Sequence, residues 1–171
     1  RQAAIEATGH LPPEQRLPIL TPVLEDPVLG VRMMTAEQLA DLSAASMKGQ
    51  AEQIAALNKE YRKIQSQHLD MPSVLAQLSQ FQLAQGETSA AEAGLLSALE
   101  KNPQSSIARV NLADLYRSLG NERAARAILK EGLALSADDG AMWFSKALYE
   151  IRDGNPHAGL NVLETDATLP E

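Results

Sequence analysis

The sequence predicts an all-α fold, a right-handed helical-repeat superhelix (an α-solenoid) of stacked helix pairs. Three observations carry that prediction. Gly86, Gly120 and Gly154 recur at a constant spacing of 34 residues. Aligned on them, small residues fall into columns: Ala91, Ala125 and Gly159 after each glycine, and Ser79, Ala113 and Ala147 before it. Aromatic residues make up only 4% of the 171 residues, so the core must be built from Leu and Ala.

A 34-residue period with small residues at these places resembles the tetratricopeptide (TPR) repeat. The second copy is the fullest: Asn111-Leu112-Ala113, Tyr116, Leu119-Gly120-Asn121 and Ala125. The first copy closes with Ala98 and Asn102-Pro103, and Trp143 stands at the aromatic position that opens the third. Three pairs are expected, over about 72–105, 106–139 and 140–171 within a region of 71–171. The columns have a mechanical cause. Small residues let two helix axes approach where they cross, and the glycine takes the left-handed conformation that ends the first helix. Ser89 with Glu92 reads as a capping box for the second helix, and Asn155-Pro156 as an N-cap followed by Pro at N1.

Residues 1–45 have a different grammar. Arg1-Gln2-Ala3-Ala4 returns as Arg32-Met33-Met34-Thr35. Between them lie Leu11-Pro12-Pro13, a Leu-rich segment (Leu17, Leu20, Leu24) and Asp26-Pro27-Val28 leading to Val31-Arg32. The Asp-Pro followed by Val-Arg resembles a HEAT-like repeat, another helix-pair solenoid, here truncated at its N-terminus. Because the chain opens at Arg1 inside a helical pattern, it is expected to be a piece of a longer protein. Residues 46–70 connect the two arrays. Ile54, Leu57, Tyr61, Ile64 and His68 recur at three and four, which predicts one long amphipathic helix over 46–69. It carries Lys48, Lys59, Arg62 and Lys63, read as a solvated face. Its expected role is to stack on the first TPR helix, and Asp70-Met71-Pro72 ends it.

Several chemistries are excluded. Without Cys there is no disulfide, thiolate site or cysteine nucleophile. Fifteen basic against 22 acidic residues give a net charge of −7, which argues against nucleic acid or an anionic membrane as the main partner. No apolar run approaches the ~18 residues of a membrane span. His10, His68 and His157 are scattered. Glu25-Asp26 and Asp138-Asp139 sit at helix boundaries, where carboxylates cap helices. No phosphate loop, serine elbow or zinc spacing occurs. The chain is therefore expected to be no enzyme and to carry no cofactor of its own.

Function in such arrays lies on the concave face, lined by the first helix of each pair. The register places Ala76, Gln77 and Gln80 there from the first pair. The second pair offers Val110, Asn111, Asp114 and Arg117, and the third Phe144, Ser145, Leu148 and Arg152. Asn111, Arg117, Phe144 and Arg152 are the favoured contact residues. Phe144 and Leu148 have a second reading, in which they pack on a neighbouring helix. In chaperone-binding TPR proteins a Lys and Asn clamp holds a partner's C-terminal carboxylate. Of its positions, occupied here by Ala76, Gln80, Asn111, Ala141 and Ser145, Asn111 alone matches. The mixed groove suits an apolar peptide or helix with a few polar contacts.

The order of parts carries a wider resemblance. A HEAT-like pair with Leu11-Pro12-Pro13-Glu14-Gln15-Arg16 leads through a Tyr61-Arg62 helix into TPRs, the second reading Asn111-Leu112-Ala113-Asp114-Leu115-Tyr116-Arg117. This resembles the C-terminal region of bacterial multi-haem cytochrome c proteins with HEAT and TPR repeats. The resemblance implies a periplasmic docking module that recruits or assembles a redox partner. It places haem only in the part that precedes this chain. A purely structural spacer, its groove filled by its own chain, is the rival reading. The last helix carries Leu160, Val162 and Leu163; either another repeat follows it or it forms a homodimer.

Overall fold

The computed structural model describes residues 1–47 and 49–166; Lys48 and residues 167–171 lie outside the described residues. Ten α-helices and no strand occur among them. They are α1 (Gln2–Ala7), α2 (Pro13–Leu20), α3 (Leu29–Leu39), α4 (Ala51–Gln65), α5 (Pro72–Ala84), α6 (Thr88–Lys101), α7 (Ser106–Ser118), α8 (Glu122–Leu135), α9 (Gly140–Arg152) and α10 (Pro156–Asp166). The described residues divide into two compact units, one formed by the stretch up to 69 with 81–87, the other by 70–80 with 88–166.

In the first unit α3 packs against α1, α2 and α4. The interior is aliphatic, with Leu20, Leu39 and Ile54 almost wholly enclosed. The two arginines of the repeated N-terminal stretch converge on one turn. Arg1 donates to Asp26 Oδ2 at 2.7 Å, and Arg32 donates to the Asp26 backbone carbonyl at 2.7 Å. Asp26 is buried, and its Oδ1 accepts the Val28 N–H at 2.9 Å, so the carboxylate closes the turn that leads into α3. Arg32 also grips Glu60 on α4 with two hydrogen bonds, at 2.7 and 2.9 Å.

The connecting helix is shorter than its periodicity predicts. A 3-10 turn (Ala44–Met47) precedes it, and Gly49 takes φ +91°, which no right-handed helix contains. After Gln65 the chain tightens into a second 3-10 turn (Ser66–His68), leaving His68 outside α4 and exposed. The periodicity is real over the middle, where Ile54, Leu57 and Tyr61 are buried. The Tyr61 ring stacks on Phe81 of α5 at 4.4 Å between centroids, and its hydroxyl donates to Glu37 at 2.9 Å. Arg62 lies over the same Phe81 ring and makes a two-bonded pair with Glu87.

In the second unit α7 packs on α6 and α8, and α9 packs on α7, α8 and α10. The three period-marking glycines do the same job three times. Gly86, Gly120 and Gly154 have φ of +78°, +75° and +82°. At each, the glycine N–H bonds three residues back and the next N–H bonds five back: Gly120 to Arg117 and Asn121 to Tyr116, at 2.9 and 2.8 Å. This is the Schellman closure, which satisfies carbonyls that the helix end leaves open. Asn121 then caps α8 through Ala124, and Asp139 caps α9 through Met142. The cap expected at Ser89 is displaced. Because the Schellman turn leaves a single residue before the next helix, α6 begins at Thr88 after Glu87, and Ser89 lies inside it.

Candidate functional site

The site is built on the first helices of the three pairs, α5, α7 and α9, within the second unit. The columns of small residues bring those helices close to their partners. Ser79 and Ala113 are fully enclosed, and Ala147 is 1% exposed. Ala91 and Ala125 opposite them are enclosed too. At Gly159 a methyl group would stand 2.9 Å from the Ala147 carbonyl oxygen, so the crossing of α9 and α10 has no room for one. Gly94 and Gly132 play similar parts that the sequence reading missed. A methyl on Gly132 would fall 2.3 Å from Met142 Sδ, and one on Gly94 2.3 Å from Ser79 Oγ.

With the helices so placed, the predicted groove residues separate into groups. Gln77 and Gln80 are exposed on α5. Gln80 Nε2 donates to Asn111 Oδ1 at 3.0 Å, linking the first helices of pairs one and two. Asp114 accepts from the Tyr149 hydroxyl at 3.2 Å, linking pairs two and three. Arg117 sits beside Asp114 (3.9 Å) with its guanidinium 5.7 Å from the centre of the Tyr149 ring. Burial holds the Tyr149 phenol above its ordinary ionisation range, and the Asp114 carboxylate adds to the effect. Val110 is half-buried and packs against the cluster of Ala113, Ala125, Leu129, Met142 and Tyr149. Leu148 is half-buried, Arg152 is exposed, and Phe144 is 56% exposed.

Two residues assigned to the groove face inward instead. Ala76 is fully enclosed, three residues before the enclosed Ser79 on the same helix face. Ser145 is 5% exposed, one turn before the enclosed Tyr149 on the same helix face. Tyr149 itself was not among the predicted residues, although it ties the row together. Nor was Arg109, a buried guanidinium that donates to the Pro103 and Ile128 carbonyls at 3.0 and 3.2 Å. A signal existed for it: the register aligns Arg109 with the buried Leu75 and the half-buried Trp143.

Asn111 Nδ2 is occluded and makes no hydrogen bond. Arg117 Nε makes none either, but it pairs with Asp114 Oδ1 at 3.9 Å. Native chains leave few buried polar groups unmet, so the Asn111 amide stands out on the row.

The acidic pairs fall into structural roles, Asp26 in its turn and Asp139 at its cap. His10, His68 and His157 are exposed and apart, and among the described residues no group of His, Asp or Glu has the arrangement of a metal site. No helix is long and apolar enough to cross a membrane, among the described residues.

The three repeated Schellman turns and the packed small columns point to one repeat. Residues 82–149 match the tetratricopeptide repeat family. The match thus covers the end of α5, all of α6, α7 and α8, and most of α9. Among solved structures, the crystal structure of MamA is similar over 91% of this chain and 86% of its own, with a TM-score of 0.50 and 15% identity. Two further MamA structures, one titled MSR-1 C2 and one a point mutant, align with TM-scores of 0.47 and 0.45 at 18% identity. They cover 98% and 99% of this chain, and 95% and 98% of theirs. At this identity the likeness is one of fold: an all-helical chain of helix-pair repeats. A comparison with curated proteins gives no match.

Proposed function

We propose that the chain is a non-catalytic protein-interaction module that binds a peptide or helix along the first helices of its TPR pairs. The observation that carries this reading is the row Gln80, Asn111, Asp114 and Arg117. It runs from α5 to α7, meets Tyr149 of α9, and keeps the Asn111 amide N–H without a hydrogen-bond acceptor. Polar side chains that order one another in this way preorganise a surface and lower the entropy lost on binding. Tetratricopeptide repeats, matched over 82–149, favour a protein partner.

The finer context rests on the sequence. The convergence of Arg1 and Arg32 on Asp26 supports a HEAT-like arrangement for residues 1–45. The order of HEAT-like segment, Tyr-Arg helix and TPRs supports a place beside a periplasmic multi-haem cytochrome, with a redox protein as partner. The test uses the chain as immobilised bait against periplasmic extract, read by mass spectrometry and haem absorbance. A discrete redox protein is expected, captured by the parent and lost in Asn111→Ala with Arg117→Ala while helical content is unchanged. Equal capture by the variant overturns the row; no capture by a folded parent favours a structural spacer.

A second reading has its own observation. Ala76, Val110 and Phe144 occupy one column of the repeat, and their exposure rises from none, through half-buried, to 56%. Val110 is covered by the cluster that includes Met142 and Tyr149 of α9; Phe144 has no such neighbour among the described residues. With Ile151 and Leu160 also exposed, this face supports self-association through the last pair. Light scattering would then give a dimer mass for the parent and a monomer mass for Phe144→Ser. A monomeric parent at high concentration removes this reading.

A further inference from the structure

A cavity of about 270 Å³ opens on the seam of α8 and α9, lined by Arg126, Leu129, Lys130, Lys146 and Tyr149. None of the row residues Gln77, Gln80, Asn111, Asp114 or Arg117 lines it. Its wall concentrates positive charge in a chain whose net charge is −7. The three cations are not equivalent. Arg126 is matched by the Glu150 and Asp153 carboxylates, which hold it in place as a wall. Lys130 and Lys146 have no carboxylate partner among the described residues; Lys146 rests its ammonium 4.6 Å from the centre of the Trp143 ring. Leu129 and the Tyr149 ring supply an apolar floor, and both are almost wholly enclosed. A larger cavity of about 470 Å³ in the first unit differs on this point, because its Arg32 is already gripped by Glu60.

We infer that this cavity is a binding site for a carboxylate carried beside an apolar side chain on a partner peptide. The size limits the ligand. At about 270 Å³ the space lies at the lower edge of ligand pockets, enough for one side chain or a chain end. The charges select its chemistry. A lysine ammonium is a compact point charge with three donors, and a carboxylate offers acceptors alone. Two lysines in a lining that includes Leu129 and Tyr149 therefore favour an anionic group with a hydrocarbon neighbour over a neutral or cationic one. The carboxylate can come from an Asp or Glu side chain or from a peptide C-terminus. The site shares Tyr149 with the proposed row, but its two lysines lie outside that row, so a lysine variant tests this site by itself.

The test is titration of the isotope-labelled full chain, followed by amide chemical shifts, with three N-acetylated probe peptides. One is Gly-Leu-Glu-Gly with an amidated end, one Gly-Gly-Leu with a free C-terminus, and one Gly-Gly-Leu amide as neutral control. The expected result is saturable shifts at Leu129, Lys130, Lys146 and Tyr149 with at least one carboxylate peptide and none with the control. Which of the two binds names the source of the carboxylate. Lys130→Gln with Lys146→Gln is expected to weaken that binding roughly tenfold or more, and Arg123→Gln, an exposed cation of α8 outside the lining, to leave it unchanged. No saturable shift with either carboxylate peptide, equal binding of the control, or unchanged affinity in the lysine variant overturns the inference.

Discussion

Gly159→Ala is expected to destabilise the third helix pair, against the usual sign of that substitution. In an unconstrained helix interior, Ala is better than Gly by about 0.8–1.0 kcal/mol, because it loses less backbone entropy on folding. Here the new methyl would stand 2.9 Å from the Ala147 carbonyl oxygen and 2.6 Å from Ile151 Cγ1. Ile151 is exposed and has somewhere to move; the Ala147 carbonyl belongs to the backbone of α9 and has not. The two helices must separate, and overpacking of this kind costs about 1–3 kcal/mol. The balance is a net loss of up to about 2 kcal/mol, centred on about 1 kcal/mol. Urea unfolding reads it directly. With a urea slope of about 2 kcal/mol per molar, a loss of about 1 kcal/mol lowers the midpoint by about 0.5 M at unchanged slope. Trp143 is the single tryptophan and sits on α9, so its fluorescence reports on the affected pair. Ala93→Gly, at an exposed position of α6, is the control, expected to lose only the propensity term. A Gly159→Ala midpoint equal to or above that of the parent would refute the tight crossing of α9 and α10.

Two further outcomes follow from the charged groups. Arg109→Met should cost about 1–3 kcal/mol, because the Pro103 and Ile128 carbonyls lose a buried donor; thermal unfolding checks it against the exposed Arg123→Met, expected near zero, and equal losses would dismiss the buried role. The hydrogen bonds from Arg32 hold the Glu60 carboxyl below its ordinary value of 4.5, so the folded chain resists protonating it. That contribution is full above about pH 4.5 and disappears as pH falls through the folded value. Stability measured against pH should therefore fall less steeply on the acid side in Glu60→Gln, and an acid limb parallel to that of the parent would exclude the pair as its cause.

How much of this was legible beforehand depends on whether a residue's role is local. The 34-residue spacing of Gly86, Gly120 and Gly154 announced the helix ends, because a left-handed turn is a property of a few consecutive residues and glycine is its usual occupant. The small columns at Ser79, Ala113 and Ala147 were readable for a similar reason: helix period alone sets which face they share. The capping signal at Ser89 misled, since Ser-x-x-Glu is satisfied by the sequence whether or not the preceding turn leaves room for it. The extent of α4 was overestimated because apolar period continues through residues that the Gly49 turn and a 3-10 turn place outside the helix.

The sequence by itself determined the helical class, the repeat length, the turns between the helices and the residues available for the first-helix face. It did so because these depend on backbone preference and on a periodicity counted along one chain. Only the tertiary structure decided which of those residues touch. Asp114 and Tyr149, 35 positions apart, meet through a hydrogen bond. Arg126 lies with Glu150 and Asp153, and Lys130 with Lys146 beside the same cavity. Such pairings depend on how far two helix axes approach and on how they are turned about those axes. A difference of one residue in register turns a helix face by about 100°, at 3.6 residues per turn, which is enough to bury Ala76 and Ser145 while leaving Gln77 and Phe144 in solvent.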